Sequence, residues 1–198
     1  MYNPKKHHRH SIRLKNYDYN DGFYFVTICC QNRACIFGEI KNGIMMPNEY
    51  GKIAINEWLK TESIRSNVKL YEFVVMPNHI HGILEINHIP DTTITAIEEI
   101  TATVGARRAL PSTLPYQPNR FQNQGKNTLS SIIGSYKSAV SKQIHETGFI
   151  GSIWQRNYYE QIIRNEHSYQ NVSQYITNNP MNWQNDKLYK GRGKASLA

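Results

Sequence analysis

The 198-residue sequence predicts an α+β fold: an antiparallel sheet of ferredoxin-like connectivity with helices on one face. Three observations carry this. Runs of β-branched and aromatic residues alternate with helical stripes in the order strand, helix, strand, strand, helix, strand, helix, which favours a sheet covered by helices. Two of the strands, Val68–Met76 and His79–Ile86, are separated only by Pro77 and Asn78, so they pair as an antiparallel hairpin. There is neither an internal repeat nor a glycine-rich phosphate loop to point elsewhere.

Taken in order, residues 1–20 are polar and basic and form an N-terminal arm. Residues 23–30, rich in aromatic and β-branched side chains, read as the first strand. Over residues 48–66 a helical stripe gathers Ile53, Ala54, Trp58 and Leu59, and Asn48 stands where an N-cap belongs. After the hairpin the composition changes abruptly. Residues 88–127 are Thr-rich, then carry Gly105-Ala106-Arg107-Arg108, then Pro111, Pro115 and Pro118 with almost no periodicity, the pattern of a flexible insertion. Leu129–Glu146 resumes a helix, with Ile132, Ile133, Tyr136, Ala139, Val140 and Ile144 inward and Gly148 placed to end it. A short strand at 158–163 and a last helix, Glu166–Asn178, complete a single domain over 21–183. Residues 184–198, with Lys187, Lys190, Arg192 and Lys194, form a basic tail with no evident partner.

Composition narrows the function. A net charge of +8 with 13 tyrosines and 3 tryptophans suits phosphate backbones and unstacked bases, although a merely solvated basic surface has the same composition. Cys29, Cys30 and Cys35 are odd in number, confined to one segment and lack CxxC spacing, so neither a disulfide framework nor a zinc knuckle is indicated, which fits a reducing cytoplasm. No stretch approaches the ~20 apolar residues of a membrane span, and Lys5-Lys6-His7-His8-Arg9 opens no signal peptide. The expectation is a soluble cytoplasmic protein.

One pattern carries chemistry. In a strand, His79 and His81 lie about 6.6 Å apart with both rings on one face, the geometry of two ligands to one metal ion. Histidines at a core edge share this spacing, and the pair alone does not decide between the two readings. Ile80, Leu84 and Ile86 take the opposite face and are free to bury. On the last helix, Tyr175 and Asn179 are four apart and address a common point. Pro180 disfavours helical geometry at Asn179, putting that side chain in a frayed last turn. An amphipathic core tyrosine and a C-cap asparagine are the plainer alternatives.

With these residues the sequence resembles the single-tyrosine HUH transposases, and among them the REP-associated tyrosine transposases. The resemblance rests on Val74-Val75-Met76-Pro77-Asn78-His79-Ile80-His81-Gly82-Ile83, on residues 153–165 beginning Ile153-Trp154-Gln155-Arg156, and on Tyr175-Ile176-x-x-Asn179-Pro180. It spans about residues 20 to 183 apart from the insertion. It implies an HUH endonuclease fold and a metal-dependent enzyme that cleaves and rejoins single-stranded DNA at hairpin-forming, REP-like palindromes. Tyr175 is then the nucleophile, and His79, His81 and Asn179 hold Mg²⁺ or Mn²⁺, although two imidazoles would also accept Zn²⁺. The alternative is a hairpin-binding protein without catalysis. Lys137, Lys142 and Arg156 are candidate phosphate contacts, Arg107 and Arg108 either touch DNA or belong to a solvated loop, and Trp154 packs while Tyr158 packs or stacks. The insertion after the HUH strand and the basic tail depart from the family pattern. The resemblance leaves monomer and homodimer open, and with them a tyrosine acting in its own chain or its partner's.

Overall fold

The computed structural model describes residues 19, 21–87 and 127–189. The arm over 1–18, most of the insertion with Arg107 and Arg108, and the tail from 190 onward lie outside the described residues. The elements are β1 (Gly22–Cys29), β2 (Gly38–Lys41), β3 (Ile44–Pro47), α1 (Glu49–Ile64), β4 (Val68–Met76) and β5 (His79–Ile86). After the insertion come α2 (Leu129–Glu146), β6 (Tyr159–Ile163) and α3 (Glu166–Asn178).

Four strands form one antiparallel sheet in the order β4-β5-β1-β6. Counting only these strands along the chain, the order is 2-3-1-4, the split βαβ arrangement of ferredoxin-like folds. Pro77 and Asn78 turn β4 into β5, with Met76 opposite His79. A second hairpin, β2 with β3, is absent from the expected element order. Asn42 (φ 52°) and Gly43 (φ 75°) make its turn, the left-handed pair that matches the twist of a two-residue hairpin.

Central strand β5 is buried on both faces, and this sets the layers. Ile80, Leu84 and Ile86 join Tyr24, Val26 and Ile28 of β1 against Ala54 and Trp58 of α1 and Ile132, Ile133, Tyr136, Val140 and Ile144 of α2. Trp58 meets Tyr136 edge to face at 5.2 Å, and the Tyr136 hydroxyl donates to the Ala54 carbonyl at 3.0 Å. Asn48 caps α1 as expected, accepting from the Gly51 N–H, and Gly148 (φ 95°) follows α2 in the left-handed conformation that ends it.

The expected placement of all helices on one face is corrected at α3. Val172 and Ile176 of α3 pack on Ile83 of β5 and Ile163 of β6, side chains that point away from α1 and α2. Residues 79, 81 and 83 alternate with the core set, so a sheet buried on both faces requires a second cover. α3 is that cover, and it lies on the face that carries both histidines.

Candidate metal and nucleophile site

His79 and His81 leave the end of β5 toward α3, paired across β1 with Cys29 and Thr27. Their ring centroids are 4.4 Å apart and both are buried, at 0% and 3% exposure. Asn78, also fully buried, fixes the first ring. Its Nδ2 donates to the carbonyls of Leu188 (2.9 Å) and Arg33 (3.3 Å), so its Oδ1 faces His79 Nδ1 at 2.7 Å. A carboxamide oxygen only accepts, and His79 therefore carries its proton on Nδ1 and presents the Nε2 lone pair. The Arg33 end of this clamp follows two consecutive left-handed residues, Asn32 (φ 53°) and Arg33 (φ 51°). His81 Nδ1 lies 2.8 Å from the Thr27 hydroxyl, leaving its Nε2 toward α3.

The tyrosine helix delivers the rest. The Tyr175 hydroxyl lies 3.3 Å from His81 Nε2, and its ring is edge-on to Phe25 at 6.1 Å. The helix ends at Asn178 with Asn179 as its C-cap, as Pro180 predicts, while Asn179 itself keeps helical backbone angles (φ −59°, ψ −43°) and is packed, 2% exposed, rather than splayed into solvent. The chain after Pro180 turns back over the site, and its Asn182 N–H bonds to the Asn178 and Asn179 carbonyls; this extends the winding past the proline. All four residues come together within one chain.

Sequence reasoning missed a fifth. Asp186, in the stretch expected to be a tail without a partner, is 6% exposed and accepts from the Tyr175 hydroxyl (3.1 Å) and Asn179 Nδ2 (2.9 Å). Its other oxygen accepts from the Leu188 N–H, and Trp183 lies over His79 at 5.9 Å between centroids. Ligand atoms of His79, His81 and Asp186 all fall within 4.8 Å of one another. A lone aspartate amid polar and basic residues carries no sequence signal; only the return of the chain creates one.

Two buried lone-pair atoms at this point have no hydrogen-bond partner among the described residues: His79 Nε2 and Asn179 Oδ1. Leaving such atoms unpaired costs about 1–3 kcal/mol each. A divalent cation held by His79, His81 and Asp186, whose ligand atoms already cluster, would give His79 Nε2 a partner, and two imidazoles with a carboxylate form a donor set suited to a divalent metal. Electrostatics agree. Burial, then His81 and Arg33, hold His79 well below the ordinary histidine range, and burial lowers His81 to about 4 against the opposing charge of Asp186. Both rings are neutral at pH 7, the form that ligates. Burial, aided by Asp186, pushes Tyr175 up to about 12, with Asn179 opposing.

The remaining expected contacts stand apart. Lys137 and Lys142 belong to α2, across the sheet from α3; Lys142 is exposed, whereas Lys137 directs its ammonium at the carbonyls of Gln155 (2.6 Å) and Arg156 (3.1 Å). The Arg156 side chain is exposed. Trp154 is packing, with Phe37 and Tyr136 as neighbours and its indole N–H on the Lys137 carbonyl. Tyr158 packs against the same core.

No family model matches the sequence. A relative from Haemophilus influenzae, itself uncharacterized, is 41% identical over 189 residues, 95% of this chain and 97% of that protein. The two belong to one family. Among solved structures, a REP-associated tyrosine transposase bound to a REP hairpin matches with a TM-score of 0.52 at 19% identity, over 87% of this chain and 74% of that one. The fold is that of the HUH single-tyrosine transposases. In this fold the histidine strand is β5, one of the two inner strands, and the helix that carries Tyr175 covers its second face. Among the described residues no helix is long and apolar enough to cross a membrane.

Proposed function

We propose that the protein is a metal-dependent endonuclease and strand transferase acting on single-stranded DNA beside hairpin-forming, REP-like palindromes. The observation that carries this reading is the Tyr175 hydroxyl 3.3 Å from His81 in a chain whose fold is that of HUH transposases. Joining a strand after cutting it requires that the phosphodiester energy be kept, and a phosphotyrosyl ester keeps it where hydrolysis does not. Tyr175 Oη attacks the scissile phosphorus, the bond from phosphorus to the 3′-oxygen breaks, and the products are a 5′-phosphotyrosine and a 3′-hydroxyl. Reversal of the same step rejoins DNA.

The surrounding residues serve this step. With a phenol raised to about 12, only about one tyrosine in 10⁵ is ionised at pH 7, so the proton must leave as the new bond forms. Asp186 Oδ2 already accepts that proton's hydrogen bond. His79, His81 and an oxygen of Asn179 or Asp186 would hold Mg²⁺ or Mn²⁺, which when bound polarises the phosphate and stabilises charge developing in the transition state. With Asp186 as the oxygen donor the set would be anionic, unlike the three neutral ligands, His79, His81 and Asn179, that the resemblance implies. Buried α3 contacts keep the nucleophile registered on the histidine strand, which shortens the search for an in-line geometry.

The test is a radiolabelled hairpin with a single-stranded flank, incubated with MnCl₂ and resolved on a denaturing gel. The parent protein gives a covalent adduct that EDTA suppresses, and Tyr175→Phe binds the hairpin but gives none. Undiminished adduct from Tyr175→Phe removes that residue from the role. Binding without adduct from the parent makes the chain a non-catalytic hairpin binder.

A further inference from the structure

Beside the nucleophile lies a cleft of about 470 Å³, a volume suited to a small ligand or part of a nucleotide strand. Of its nine lining residues six are carboxamides, Asn171, Gln174, Asn178, Asn179, Asn182 and Asn185; the others are Tyr175, Asp186 and Lys187. Three of the amides belong to one face of α3: positions 171, 174, 175 and 178 follow the i, i+3, i+4, i+7 spacing that stacks side chains over one another, so the amide row includes Tyr175. Gln174 and Asn171 are exposed and Asn178 half-buried, whereas Asn179 at the base of the cleft is buried and keeps an unpartnered Oδ1.

The charge of the wall decides what it is fit to bind. A groove for the DNA backbone is lined by lysine and arginine, because affinity there comes from neutralising phosphates. Among the described residues this cleft carries a single cation, Lys187, balanced by the buried Asp186. A carboxamide, by contrast, offers a donor and an acceptor side by side, the arrangement that reads base edges. Unpaired bases present those edges freely, and single strands are recognised through them.

We infer that this wall reads the unpaired bases next to the scissile phosphate, with Gln174 and Asn178 as specificity-determining residues. The inference rests on the strand-transfer reading for where the phosphate lies. It adds that the protein itself recognises sequence at the cleavage site. Asn179 and Asp186 remain with the nucleophile, while Gln174 and Asn178, on the amide face of α3 beside Tyr175, meet the neighbouring nucleotides.

Binding alone tests it. Single-stranded DNA with ten randomised positions is selected on Tyr175→Phe protein, which cannot be trapped covalently, and on the same protein carrying Gln174→Ala and Asn178→Ala. The expected result is a motif enriched by the first protein and loss, about tenfold per position, of preference at two or more adjacent positions in the second. Affinity for the unselected pool stays within about threefold. Gln174→Glu, which keeps the shape but removes the amide donor, changes the preferred base at one of those positions. An undiminished motif in the alanine variant, or no motif with the first protein, overturns the inference. Absence of a covalent adduct with the unsubstituted chain would instead overturn the strand-transfer reading and leave the base preferences standing.

Discussion

Asn78 is the strongest single lever on the site, because one carboxamide holds His79, a proposed metal ligand, and the returning chain together. It is fully buried, with its Oδ1 2.7 Å from His79 Nδ1 and its Nδ2 on the Leu188 and Arg33 carbonyls. Asn78→Ala strands three polar groups. Arg33 is exposed and its bond long at 3.3 Å, so water can serve that carbonyl; the His79 N–H and the Leu188 carbonyl bear the loss. At about 1–2 kcal/mol for each of these, the variant loses about 2–4 kcal/mol of stability. Metal affinity falls too, by about 10- to 100-fold, since the ring is no longer held with Nε2 outward. Asn78→Asp separates the two effects: it keeps an acceptor for His79 Nδ1–H and loses the donor to both carbonyls. That variant is expected to unfold at lower urea than the parent while binding Mn²⁺ at least as tightly. The assays are Mn²⁺ titration calorimetry and urea unfolding in EDTA. Parental Mn²⁺ affinity in Asn78→Ala, or equal affinity losses in both variants, would refute the reasoning.

Other expectations follow from the same contacts. A Cβ at Gly82, between the strand's inward residues, would sit 2.5 Å from Trp58 Cζ2, so Gly82→Ala should cost about 1–3 kcal/mol and lower Tm by several degrees. An unchanged melting curve would show that the indole yields freely. In metal-free protein, His81 falls from 6.5 to about 4 on folding because burial disfavours the imidazolium. Its contribution is present in full above pH 6.5 and is lost as pH falls toward 4, up to about 3 kcal/mol, and His79 acts in the same direction. Urea midpoints measured in EDTA from pH 7 to 4 should therefore decline, and a flat profile would contradict the burial of these rings. Asp186→Asn removes the charge that helps raise the Tyr175 phenol, so its titration midpoint in metal-free protein, followed by ¹³C-tyrosine NMR, should drop from about 12. A midpoint that stays put would assign the whole shift to burial.

Much of the architecture was legible because it is encoded within a few residues. The β-branched and aromatic runs of β1, β4 and β5, the helical stripes of α1 and α2, the Asn48 cap and the glycine after α2 are all local patterns, and the structure places each close to where its pattern lies. The His79 and His81 pair is legible for the same reason, since two residues apart on a strand is one face whatever the fold. The β2–β3 hairpin was also available: Asn42-Gly43 between short apolar stretches is a strong turn signal, hidden only by the brevity of its four-residue strands.

What tertiary structure alone decided is where chains separated in sequence meet. Periodicity says that α3 has an apolar face, but not which face of the sheet it covers; the doubly buried β5 settles that, and brings Tyr175 to His81 across 94 residues. Lys137 has the residue type of a DNA contact, yet its ammonium lies on two backbone carbonyls. Asp186 and Asn78 gain their roles only when the segment after Pro180 folds back, tying Asn78 to Leu188 over 110 residues. A side chain's periodicity is set by its own backbone, whereas its partner and its pKa are set by whatever packing places within a few ångströms.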